Sequence, residues 1–179
     1  MPSEGAGMQT RRSFPYAVSS NDVPSADMAP PAGMQAGAGG ALKAQMVFGS
    51  DTSIMIAERE TGYHSKPHYH DAEQMNYVVS GSIWFFIGDQ GYKAVQGDIV
   101  RIPRNAIHWA WVREPGGCTL FESHTPPLTG DEKMQKAAFS LLGPDENRAD
   151  IKGVKNEWAP LDKAKMEETE ARVIAEYGG

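Results

Sequence analysis

Cysteine is almost missing from this chain. Cys118 is the single one, so no disulfide can close within the chain and its stability has to come from a packed core. Long apolar runs are missing too. None approaches the ~20 residues that a membrane-spanning helix needs. Positive charge is in short supply, with 17 Lys and Arg against 23 Asp and Glu for a net charge of −6. That balance argues against a nucleic-acid surface or an anionic membrane face. No internal repeat is visible. These absences leave a soluble, cytoplasmic protein with one core, no nucleic-acid partner and no membrane partner as the expectation.

The composition divides the 179 residues into three regions. Residues 1–40 are rich in Pro, Gly, Ala and Ser and read as a flexible arm. Within it Phe14, Tyr16 and Val18 alternate, so a strand added to a neighbouring subunit's sheet edge is the competing reading. Residues 41–128 carry short apolar runs at 42–48, 53–59, 76–80, 83–87, 92–95, 99–102, 107–112 and 118–124, separated by turn signals rich in Gly, Asp and Pro. This spacing predicts an all-β sandwich or barrel, not alternating strands and helices. Residues 129–179 read as a helical extension. A capping box, Thr129 to Glu132, opens a first helix with Met134, Ala137, Ala138 and Leu141 on one face. A second runs over 161–177, with Met166, Val173, Ile174 and Tyr177 turned toward the β-domain.

Three of the five histidines, His64, His68 and His70, lie within seven residues of one another. In extended chain His68 and His70 share a face and can chelate a metal together. Their segment and a later one resemble the paired motifs of the cupin family. In the first, Gly62, His68, His70, Gln74 and Gly81 keep the family's spacing, with Gln replacing the usual Glu. In the second, Gly97, Pro103 and His108 match, while Asn105 stands for a glycine and Trp111 for the final Asn.

The resemblance implies a cupin antiparallel β-barrel, jelly-roll-like, with the arm before it and one or two C-terminal helices after it. It implies one divalent transition metal per chain (Fe, Ni, Zn or Mn) held by His68, His70, Gln74 and His108. Glu73 competes with Gln74 for the fourth position. The activity implied is that of a metal-dependent enzyme on a small oxygenated organic molecule, of Lewis-acid isomerase, lyase or cyclase type. An Fe(II) dioxygenase is the alternative, and a non-enzymatic small-ligand-binding cupin the second. Glu73, His64 and His124 are the candidates for moving a proton, and Arg101, Tyr77 and Trp109 for touching the substrate. Each has a plainer reading beside it: His64 as an exposed loop residue, His124 as core edge, Arg101 as a solvated strand-end charge, Trp109 as barrel packing. A homodimer through sheet edges is expected.

Overall fold

The structure is a computed structural model and describes residues 16–27, 39–129, 138–142, 153–160 and 162–177. Its backbone is one curled, mainly antiparallel sheet. The two first long strands, β2 (Leu42–Phe48) and β3 (Ser53–Arg59), bury every second residue and leave the others partly or fully exposed. That is the period-2 pattern of a sheet with one face in the core. β3 continues into β9 (Cys118–Thr125), and β9 into β5 (Glu73–Ile87). The early half of β5 also pairs with β7 (Ile99–Ile102), and its late half with β6 (Gln90–Val95) and β8 (His108–Trp111).

β5 replaces the two strands expected on either side of a Gly81-Ser82 turn. A register shift between Val78 and Ser80 marks a bulge, and one extra residue reverses which side chains face in. Before it Gln74, Asn76 and Val78 are buried inside; after it Ile83 and Phe85 join the inner core, while Trp84 and Phe86 belong to a second cluster. Gly81 lets the strand continue. Its φ is +76°, and a Cβ there would stand 2.1 Å from the Gly117 carbonyl oxygen.

Four short strands complete the sheet. β1 (Ser25–Asp27) pairs with β2 of the same chain. The expected alternation in the arm therefore gives way to a different segment: Tyr16 and Val18 lie outside any strand, and Phe14 lies outside the described residues. β4 (His68–Tyr69) pairs with β8 and with β11 (Glu157–Trp158). β10 (Phe139–Ser140) runs parallel to β2. The first expected helix falls largely on 130–137, outside the described residues; where its end was placed, 139–140 are strand.

The helix that is described, α1 (Lys163–Glu176), starts at Asp162, whose carboxylate accepts the Lys165 N–H as an N-cap. Its Met166 and Val173 pack on Trp84, Phe86 and Trp109, on the outer face of the sheet. Each buried side chain of that size contributes about 1.5–3 kcal/mol. The all-β, jelly-roll-like fold expected from the sequence is thus the one observed. Among the described residues no helix is long and apolar enough to cross a membrane.

Candidate functional site

The inner face of the sheet carries a polar cluster in the middle of an apolar core. His68 on β4 stands directly opposite His108 on β8. Gln74 on β5 stands opposite His124 on β9, and Asn76 opposite Glu122. His70 follows β4 and reaches the same place. The ring centroids are 4.3 Å apart for His68 and His108, 5.0 Å for His70 and His108, and 5.6 Å for His70 and His124. His70, Gln74, Asn76, His108, Glu122 and His124 are all buried.

Backbone carbonyls set the imidazole orientations. The Nδ1 atoms of His68, His70 and His108 each lie 2.9 Å from a carbonyl oxygen, of Lys66, Ala72 and Ala106 respectively. A carbonyl only accepts, so Nδ1 carries the proton in each. Burial holds His68 neutral by pushing it down to about 4 and His124 down to about 3. His108 is lowered well below the usual imidazole range, by burial first and then by its neighbour His68. Nδ1 of His124 is buried with no hydrogen-bond partner.

Beside the histidines a hydrogen-bonded chain starts at Gln74. Gln74 Oε1 lies 3.1 Å from His70 Nε2, while Gln74 Nε2 donates to Asn76 Oδ1 at 2.7 Å and to Glu122 Oε2 at 3.3 Å. Asn76 Nδ2 donates to the Val100 carbonyl. The other oxygen of Glu122 takes Nη2 of Arg59 at 2.5 Å, both side chains being buried. Burial works against the Arg59 charge, and Glu122 beside it more than restores it, so the guanidinium stays protonated.

This arrangement corrects the expected metal centre. Among the described residues, no group of three or more His, Cys, Asp or Glu is arranged to hold a metal ion. The Gln74 carboxamide is oriented by Asn76 and Glu122, which accept from its Nε2 and leave its Oε1 3.1 Å from His70 Nε2. The carboxylate that could have offset a cation's charge is taken by Arg59. The divalent cofactor at His68, His70, Gln74 and His108 is therefore withdrawn, and with it the metal-dependent enzyme, which required it.

The other candidates divide between the two faces. His124 joins the inner cluster. Glu73 and Arg101 lie on the outer face and pair with each other at 2.5 Å, and Tyr77, also outward, is 43% exposed. His64 is buried rather than exposed, under α1. Its Nε2 lies 2.7 Å from Glu170 Oε1, which also accepts Trp109 Nε1–H at 2.8 Å. His64 stacks on Trp111 at 4.7 Å. Arg59, Asn76, Glu122 and Glu170 were missed. Strand parity could have found the first three: Ser53, Met55, Ala57 and Arg59 share one face, as do Gln74, Asn76 and Val78, and Cys118, Leu120, Glu122 and His124.

Comparison with known proteins agrees with the fold. Residues 55–124 match the cupin domain family. An RmlC-like cupin from Shewanella frigidimarina NCIMB 400 is similar in structure, at 23% identity over 61% of this chain and 88% of that one, with a TM-score of 0.51. KdgF from Halomonas sp. is similar at 21% identity over 48% of this chain and 80% of that one, with a TM-score of 0.44. At 23% identity the first of these speaks to fold alone. No curated protein matches the chain in sequence. The cupin domain match and the observed fold coincide over residues 55–124, on the sheet that carries the motifs of β4, β5 and β8.

Proposed function

We propose that this protein binds a small oxygenated organic molecule at the inner histidine cluster, without a metal and without turning it over. The observation that carries the reading is Nδ1 of His124, buried and unpartnered beside His70. A buried polar atom left without a partner is costly, and a ligand group that supplies one recovers that cost. His68 and His108 are held neutral nearby with Nδ1 as their donor, which leaves Nε2 on each as an acceptor. Neutral imidazoles at such spacing suit hydroxyl groups, which donate one hydrogen bond and accept others.

The test is nuclear magnetic resonance on protein carrying labelled histidine, titrated with a panel of hydroxyketones, hydroxyacids and catechol. Signals of His68, His108 and His124 are expected to move saturably, while that of His64, behind the sheet, stays in place. No saturable movement with any compound, or chemical conversion of one, would overturn the reading. A homodimer forms part of the same proposal. Ile99, Tyr77 and Phe121 lie side by side across β7, β5 and β9 on the outer face, at 66%, 43% and 38% exposure. Light scattering that gives a monomer refutes it.

A further inference from the structure

Arg59 stands at the far end of the inner polar chain, and its guanidinium is only partly used. It pairs in register with Cys118, whereas Glu122, which it bonds, pairs with Met55. The side chain therefore runs along the inner face of the sheet past Ala57, a residue small enough to leave it room. One nitrogen, Nη2, meets Glu122 Oε1. Nε and Nη1 are buried and have no partner, in a side chain only 8% exposed.

The neighbours do not supply what is missing. The Tyr63 ring lies 5.2 Å from the guanidinium carbon; a ring against its flat face is a cation–π contact and leaves the in-plane N–H groups unpaired. Glu122 is already shared, with its second oxygen on Gln74. The Cys118 thiol is pushed up to about 11, by burial first, and remains S–H rather than an anion. Nε–H and Nη1–H lie on separate edges of the guanidinium, on either side of the bonded Nη2, and a buried charged donor of this kind is matched best by a carboxylate oxygen. Arg59 and Cys118 also line an open groove of about 420 Å³ at the ends of β2, β3 and β9, along with Lys43, Glu58 and Glu60.

We infer that Arg59 is the subsite for a carboxylate, so that the ligand is a small organic acid whose acid group meets the unpaired Nε–H or Nη1–H of the guanidinium from the groove at the ends of β2, β3 and β9. This rests on the binding reading given above and narrows it to one class of ligand. Lys43 and the two glutamates of the groove have no part in it, since the unpaired donors belong to Arg59.

The experiment uses matched pairs on the wild-type protein: lactate, malate and gluconate, each beside its neutral amide. Binding is measured by calorimetry, and the Nε–H signal of Arg59 is followed by nuclear magnetic resonance in the same samples. At least one acid is expected to bind about tenfold or more tightly than its amide, with the Arg59 signal shifted by the acid alone. Arg59→Lys, which keeps the charge but loses the fork, is expected to erase the preference for acid over amide while histidine signals still respond. Acids and amides binding alike, with the Arg59 signal unmoved, would overturn the carboxylate subsite and leave the histidine reading standing. No response at Arg59 or at any inner histidine would overturn both. Because the matched pairs need no variant, a poorly folded Arg59→Lys protein leaves the test decisive.

Discussion

Acidification from pH 8 to pH 5 is expected to remove a large part of the folding stability, and the inner histidines set the size of the effect. His68 is held down to about 4 and His124 to about 3, both by burial, and His108 lies well below its ordinary value of 6.5 for the same leading reason. In the unfolded chain all three titrate near 6.5. Between those values the unfolded state binds protons that the folded state refuses, so stability rises with pH. It is fully present above about 6.5 and is lost as pH falls toward the folded values. At pH 5 each unfolded imidazole is favoured by roughly 1.5 pH units, or about 2 kcal/mol. His68 and His124 together amount to about 4 kcal/mol, and His108 adds to it in the same direction, against a typical total of about 5–15 kcal/mol for a domain. Most carboxylates titrate below this window, so the loss between pH 6.5 and pH 5 belongs to the histidines.

The assay is urea unfolding at several pH values between 8 and 5, followed by tryptophan fluorescence. Trp84 and Trp109 are buried and report on packing. The midpoint should fall steeply below pH 6.5 with an unchanged slope m. His124→Gln, compared with itself across pH, should lose about 2 kcal/mol of the pH dependence, one histidine's share. A wild-type stability that changes by less than about 2 kcal/mol between pH 8 and pH 5 would refute the reasoning. The cluster would then have to take up protons in the folded state.

Further outcomes follow from other parts of the structure. Exhaustive chelation is expected to leave the melting temperature within about 1 °C; a fall of many degrees, reversed by one divalent metal per chain, would restore the metal centre withdrawn above. Gly81→Ala has to fit a Cβ 2.1 Å from the Gly117 carbonyl oxygen at a φ of +76°. It should cost about 3 kcal/mol or more by urea unfolding, and a neutral result would mean that the β5 bulge relaxes freely. Glu170→Gln weakens the acceptor shared by His64 and Trp109 and should cost about 1–3 kcal/mol. A red-shifted tryptophan emission would show that α1 has loosened, and an unchanged melt would mean that its apolar contacts alone hold it. Gln74→Glu places a second carboxylate beside Glu122, where Gln74 Nε2 now lies 3.3 Å from Oε2. A loss of about 3 kcal/mol is expected by the same melt, and a stabilised protein would point back to a cation in the cluster.

The histidine segment shows how far the residues alone could be read. Alternation put His68 and His70 near each other, and two spaced motifs brought His108 to them from a distant strand. The sheet follows from the same period-2 pattern. What parity could not show is where the parity changes. The bulge near Val79 reverses the facing of β5, so Trp84 and Phe86 turn to the helix side while Gln74 and Asn76 face in. His64 and Trp109 were legible as residues but not as neighbours of Glu170, which lies 106 and 61 positions from them in sequence and reaches them only when α1 docks. Arg59 and Glu122 sat at inward positions of well-predicted strands. Arg59 closes β3, where a charged residue is usually solvated, whereas Glu122 lies in the middle of β9, where parity alone pointed inward.

The misreading that matters most concerns Gln74, and its cause is chemical. Seen as a motif position, it is a carboxylate replaced by a weaker oxygen ligand. Seen with its partners, it is the only kind of side chain of that size that fits. Asn76 gives its Nδ2 protons to Val100 and so presents an oxygen to Gln74; Glu122, tied to Arg59, presents another. Both are acceptors, so the residue at 74 has to donate on that side, and a carboxylate cannot. A carboxamide of this length donates to both, and its Oε1 then faces His70 Nε2 at 3.1 Å. The substitution that appeared to weaken a metal site is what joins Asn76 to the Arg59–Glu122 pair beside the histidine cluster, and the polar interior has unpartnered atoms at His124 Nδ1 and at Nε and Nη1 of Arg59.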